Sequence, residues 1–184
     1  YINSALKGRK NPKPKFKFIK KYNALGTLDA DNAFGHSAGM KAIDYCVKLA
    51  DKNGLGLVLV KNSSHPGAMA SMALRASRKG YACFAFTHAD SLMLAYNGIE
   101  SLFGTNPFCF SCPSGEKEPY CLDMATTLIS WNKLLTFKKN DKKLKDGMAA
   151  DKLGNQTLDP KKATSLLPAG SYKGFALASM VEVL

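Results

Sequence analysis

Apolar positions along the chain follow two rhythms. Met40, Ile43, Val47 and Ala50 recur at helical spacing from Ser37 to an Asn53-Gly54 stop, which predicts an amphipathic helix. Leu57, Val58, Leu59 and Val60 run without a polar break, which predicts a short buried strand over 55–60. Met69, Ala73 and Ala76 share one face of a predicted helix over about 67–79, closing at Lys79-Gly80. "YACFAF" (81–86) reads as another buried-type strand, and 87–106, with its Asn97-Gly98 turn, reads mostly as loop. "PFCFSC" (107–112) and "PYCLDM" (119–124), joined by "PSGEKE", predict a strand pair. A polar, helix-prone stretch covers 128–145, "DKLGNQT" predicts a turn, and Asp159-Pro160 has the form of an N-cap with a first-turn proline. A last helix carries Leu177, Met180, Val181 and Leu184. At the start, Pro12 and Pro14 among Lys13, Lys15, Phe16, Lys17 and Phe18 predict a connector (1–22) leading into an edge strand guarded by lysine. Helices alternate with strands first and neighbouring strands follow, so the expected fold is mixed α/β (α+β) with at least one antiparallel pair.

Composition narrows the class. At 184 residues, 46% hydrophobic and 22% charged, the chain has the make-up of a soluble domain with a sizeable core. No apolar run approaches the roughly 20 residues of a membrane span, and the basic start lacks a signal core, so the expected location is the cytoplasm. Five cysteines (46, 83, 109, 112, 121) fit a reducing compartment better than a disulfide framework. The formal charge of +12 comes largely from Lys7, Arg9, Lys10, Lys13, Lys15, Lys17, Lys20 and Lys21, and from Lys138, Lys139, Lys142, Lys143 and Lys145. Such clusters can neutralise phosphates, but only Phe16 and Phe18 interleave with them, and the lysine-rich surface reading is preferred to nucleic acid. The chain opens on Tyr1 and stops at "ASMVEVL" in mid-helix by pattern, which reads as a fragment.

Several chemistries lack their signature. "NGLGLVL" has Leu59 where a third glycine belongs and precedes a strand, so a Rossmann fingerprint is missing, as is a P-loop. Cys109 and Cys112 spell C-x-x-C, but on a strand they point to opposite faces. Histidines 36, 65 and 88, with Asp90 or Asp123, show no metal-ligand spacing, and no metal is expected. Ser63 and Ser64 adjoin His65 without a G-x-S-x-G elbow. His65 itself stands where a strand ends in a His-Pro-Gly turn among small residues, a setting suited to proton transfer near neutral pH. Residue chemistry leaves it open between catalysis and bracing of the turn. "GTNPF" (104–108) and "LDMATT" (122–127) have the same character, and the expectation is one active site shared with the His65 stretch.

Three long blocks carry a resemblance. "DADNAFGHSAGMKAIDYCVKLADKNGLGLVLVKNSSHPGAMA", "GTNPFCFSCPSGEKEPYCLDMATT" and "LLPAGSYKGFALASMVEVL" resemble, in order, consecutive blocks of the type-2 malate/L-lactate dehydrogenases. That family also includes ureidoglycolate, diketogulonate and sulfolactate enzymes. The resemblance implies a non-Rossmann fold with a largely antiparallel sheet, NAD or NADP as cofactor, a small 2-hydroxy/2-oxo acid of the malate or lactate class as substrate, and a homodimer. It implies that residues 23–184 are a cofactor-binding and catalytic core, incomplete at both ends. His65 of "NSSHPG" matches the family's proposed acid/base. Leu122, Asp123, Met124, Ala125 and Thr126, with Tyr172, Lys173 and Gly174, match its cofactor-contacting blocks. Asn62, Thr87, His88, Thr105 and Asn106 are further candidates for lining the site. Departures fall at His36 (commonly glutamine), Pro66 (commonly bulkier), His88 (commonly asparagine) and Asn132 (commonly glycine), and a second family histidine lies before Tyr1. The alternatives are a reductase of a larger oxo acid or cyclic imine, or a non-catalytic basic protein binding nucleic acid.

Overall fold

A computed structural model describes residues 2–184. In chain order the elements are α1 (Ile2–Leu6), β1 (Lys17–Lys20), β2 (Leu25–Asp29), α2 (Gly35–Asn53), β3 (Leu57–Lys61), α3 (Ala70–Ser77), β4 (Cys83–Phe86), β5 (Met93–Leu94), β6 (Ser101–Phe103), β7 (Phe108–Cys112), β8 (Tyr120–Met124), α4 (Trp131–Lys139), β9 (Ala149–Ala150), β10 (Ser165–Leu166) and α5 (Tyr172–Val183). The fold is mixed α/β with small sheets. The chain divides into two compact units, Tyr1–Ala85 with Phe110–Leu122, and Phe86–Cys109 with Asp123–Leu184. No helix among the described residues is long and apolar enough to cross a membrane.

In the first unit β1, β2 and β3 form a sheet in that order. β1 runs antiparallel to β2, with Lys17 opposite Asp29, so the lysine-bearing segment is an edge strand as the sequence predicts. β2 runs parallel to β3, and α2 supplies the crossover that a parallel pair requires. The helix buries Ala38, Ala42, Ile43, Val47 and Leu49, and its Tyr45 ring stacks on Phe18 of β1 with centroids 4.2 Å apart. Arg75 of α3 grips Asp44 of α2 with two parallel hydrogen bonds of 2.9 and 3.1 Å. In the row β4-β7-β8, the rings of Phe84, Phe110 and Tyr120 follow one another at 4.6 and 6.2 Å. The five cysteines form no disulfide with one another, and burial, aided by neighbouring Cys46, pushes Cys83 up to about 11.

Two expectations for this unit are corrected. β2, "LGTLD", is a strand that hydrophobic patterning misses, because it holds only two large apolar residues. β3 is not buried: Leu57, Leu59 and Val60 are 52%, 47% and 39% exposed. It ends the sheet, with a strand neighbour on one side only among the described residues, so its apolar run is shielded chiefly at Val58. Phe84 of β4 is likewise 65% exposed, although the Phe110 ring lies beside it at 4.6 Å.

In the second unit β6, β5, β10 and β9 form a sheet in that order. The pairs β5–β6 and β9–β10 are antiparallel and β5–β10 is parallel. Thus 87–106 is mostly loop as expected, but it also carries β5 and β6, whose two and three residues are too short to show alternation. Leu134, Leu144, Ala149, Ala163 and Leu166 form the core, with Trp131 and Phe137 packed against them. α4 starts where Ser130 Oγ accepts the Lys133 N–H at 3.2 Å and covers half of the stretch predicted. Asp159 Oδ1 accepts the Lys161 N–H at 2.9 Å as a cap would, but a single turn follows in place of a helix.

Candidate functional site

The His65 turn belongs to the first unit. β3 leads into Asn62, held at φ 52°, and Asn62 Nδ2 donates to Asp29 Oδ1 at 3.0 Å. The Asp31 N–H also donates to Oδ1, and Lys61 pairs with Oδ2 at 3.1 Å. These hydrogen bonds, Asn62's first and with the Lys61 charge behind them, hold the Asp29 carboxyl down at about 2. Ser64 Oγ accepts the Gly35 N–H at 3.0 Å and donates to Ala33 O at 3.3 Å. A Cβ on Gly35 would lie 2.5 Å from His65 O and nearer still to Ser64 O, so the first residue of α2 can only be glycine if it is to rest on this backbone. His65 is exposed, and its Nδ1 accepts the Gly67 N–H at 2.9 Å.

A second cluster lies wholly in the other unit. The Thr126 N–H and Oγ1 both donate to Thr105 O, at 2.9 and 3.0 Å. Thr126 O accepts the Ala169 N–H at 2.9 Å, and a Cβ on Gly174 of α5 would lie 2.5 Å from both Thr126 O and Ala169 O. The "LDMATT" and "YKG" blocks therefore meet backbone to backbone. Beside that contact is a cavity of about 290 Å³ lined by Met124, Ala125, Thr127, Leu128, Ile129, Ser130 and Ala169. Tyr172 and Lys173 are exposed on the first turn of α5, which Ser171 enters at φ 61°, ψ −124°. The GTNP turn joins from the other side: the Thr87 N–H donates to Pro107 O at 3.3 Å and the Ala89 N–H to Asn106 Oδ1 at 3.0 Å.

The structure thus brings Met124, Ala125, Thr126, Thr105, Asn106, Thr87 and Gly174 into one network of unit two, with His88 exposed next to it. His65 and Asn62 lie in unit one, Leu122 in unit one at its boundary, and Asp123 is exposed in unit two. Two candidates turn inward. Asn106 is fully buried, and its Nδ2 donates to Ala178 O at 3.0 Å and to Glu182 Oε2 at 2.8 Å, so the side chain braces the turn instead of lining an opening. Thr126 is likewise fully buried on Thr105. The cavity residues Thr127 to Ser130 and Ala169 were outside the candidate set, although they directly extend the two blocks named in the sequence.

These contacts describe a mixed α/β core whose candidate site has no glycine-rich nucleotide loop. The chain belongs to the malate/L-lactate dehydrogenase family, whose profile matches residues 1–184. It is 33% identical over 184 residues to the NAD⁺-named ureidoglycolate dehydrogenase of Escherichia coli K12, covering 100% of this chain and 53% of that protein. The malate dehydrogenase structure from Entamoeba histolytica superposes with a TM-score of 0.92 at 32% identity, covering 100% of this chain and 55% of that one. The Δ1-piperideine-2-carboxylate reductase structure from Pseudomonas syringae gives 0.94 at 27% identity, with 100% and 56% covered. The chain spans about half the length of the proteins it matches.

Proposed function

We propose that the protein carrying this chain is an NAD(P)-dependent oxidoreductase that moves hydride between the nicotinamide and a small 2-hydroxy/2-oxo acid of the malate or lactate class. The observation that carries this is the seating of Gly174 on Thr126 and Ala169, next to a cavity that Met124, Ala125 and Ala169 help to line. The residues fit a dinucleotide. Met124 and Ala125 offer an apolar wall with small neighbours, and Lys173 is a cation on a helix first turn, suited to a phosphate or a substrate carboxylate. The nicotinamide, when bound, supplies or takes the hydride. His65 hydrogen-bonds the substrate oxygen and moves its proton. Residues 23–184 serve as the cofactor-binding and catalytic core, with 1–22 as connector and edge strand, in a cytoplasmic homodimer.

The test is NADH and NADPH oxidation by the full-length protein with oxaloacetate, pyruvate and larger 2-oxo acids, beside His65→Gln. The expected result is a loss of about 10²–10⁴ in kcat with cofactor affinity retained. Full turnover in the variant would move the acid/base elsewhere, and absence of both turnover and cofactor binding would end the dehydrogenase reading. The reductase neighbour favours one second reading, a cyclic imine as substrate, so a cyclic imino acid belongs in the same panel.

A further inference from the structure

We infer that His36 is a positioning residue for His65, acting through Gly67; this rests on the reading of His65 as the acid/base. Gly67 lies between two imidazoles. Its N–H donates to His65 Nδ1 at 2.9 Å. On its other side, the place a Cβ would take is filled by the His36 ring, with Cε1 2.7 Å from that position and Nε2 closer. Gly67 has φ 76°, a conformation with little stiffness of its own, and the His36 ring limits where its backbone can go. The ring in turn has a fixed mount. His36 follows Gly35 in the first turn of α2, and the Gly35 N–H is bonded to Ser64 Oγ at 3.0 Å while its Cα abuts the Ser64 and His65 carbonyls. One helix turn therefore holds the 64–67 loop from both flanks.

The chemical consequence concerns which nitrogen of His65 carries the proton. In a neutral imidazole, an Nδ1 that accepts a hydrogen bond leaves the hydrogen on Nε2. Nε2 is then the atom that donates to the oxygen of a bound oxo acid. If Gly67 swings away, the alternative tautomer, protonated on Nδ1, loses its penalty and Nε2 no longer donates. His36 selects between the two by fixing Gly67. Glutamine, whose terminal nitrogen reaches about as far as histidine Nε2, can fill the same space; alanine cannot.

The experiment is ¹⁵N-histidine NMR on full-length wild type, His36→Ala and His36→Gln, with His65→Gln used only to assign the His65 signals, together with steady-state kinetics. His36 is exposed and alanine suits a helix first turn, so folding is not at stake. Expected for His36→Ala is at least a doubling of the Nδ1–H tautomer of His65 and a fall in kcat in proportion to the Nε2–H tautomer lost, with KM within about twofold. His36→Gln is expected to restore both. A His65 tautomer unchanged in His36→Ala, or one that glutamine fails to restore, overturns the proposal. A shifted tautomer with a kcat that does not follow the Nε2–H fraction upholds the positioning role and removes His65 from the chemistry, which separates this inference from the functional reading beneath it.

Discussion

The His65 turn of unit one and the Thr126–Ala169 contact of unit two use one device with different reinforcement. In each, a glycine in the first turn of a helix, Gly35 of α2 or Gly174 of α5, rests directly on the backbone of the candidate loop. Around Gly35 the support is polar and charged: Ser64, Asn62, Lys61 and the low-lying Asp29 carboxyl. Around Gly174 it is mostly main chain on main chain, closed by buried Thr126. The first loop is therefore tuned by charge and the second by volume.

Volume changes should break the second region most. Gly174→Ala puts a methyl 2.5 Å from two carbonyl oxygens and should cost about 3 kcal/mol by urea unfolding of the full-length protein, with cofactor affinity falling in parallel. Next comes Asn106→Ala, which takes the Asn106 amide from the Ala89 N–H and from the Glu182 carboxylate. About 2 kcal/mol of lost stability is expected by the same measurement. Wild-type stability after that change would return Asn106 to the cavity lining.

Charge should sharpen the first region. Because the Asp29 carboxyl is lowered to about 2 in the fold, its contribution is whole above the ordinary carboxylate value near 4 and is lost as pH falls toward 2. Urea midpoints measured from pH 5 to pH 2 should therefore drop less steeply in Asp29→Asn than in wild type. The smallest effect is expected at Ser171, held at φ 61°, ψ −124°. Ser171→Gly should raise stability by up to about 1 kcal/mol, the released strain being partly offset by the greater freedom of unfolded glycine.

The sequence made some of this legible and hid the rest for physical reasons. The stripe of α2, its Asn53-Gly54 stop and the extent of α5 follow from local periodicity, which long helices carry. β5, β9 and β10 are two residues long and exist only through partners on other strands, the farthest being Leu166 opposite Met93, 73 positions away. Continuous apolar residues in β3 suggested burial, yet the coverage of a strand is a property of its neighbours. At the candidate sites, spacing alone assigned Thr105 and Asn106 to one turn. It could not show that the Asn106 amide points inward to Glu182, nor that His36 and His65, 29 positions apart, touch the same glycine. His36 was conspicuous only as one of three histidines and as a departure from the family's common glutamine.

The two outer edges of the β1-β2-β3 sheet differ in a way that bears on colloidal behaviour. β1 carries Lys17 and Lys20 outward, while β3 carries exposed Leu57, Leu59 and Val60. Strand-to-strand addition at β1 is opposed by charge, and addition at β3 is not. Association that joined two β3 edges would leave the β1 lysines on both outer rims, where charge opposes the addition of a further strand.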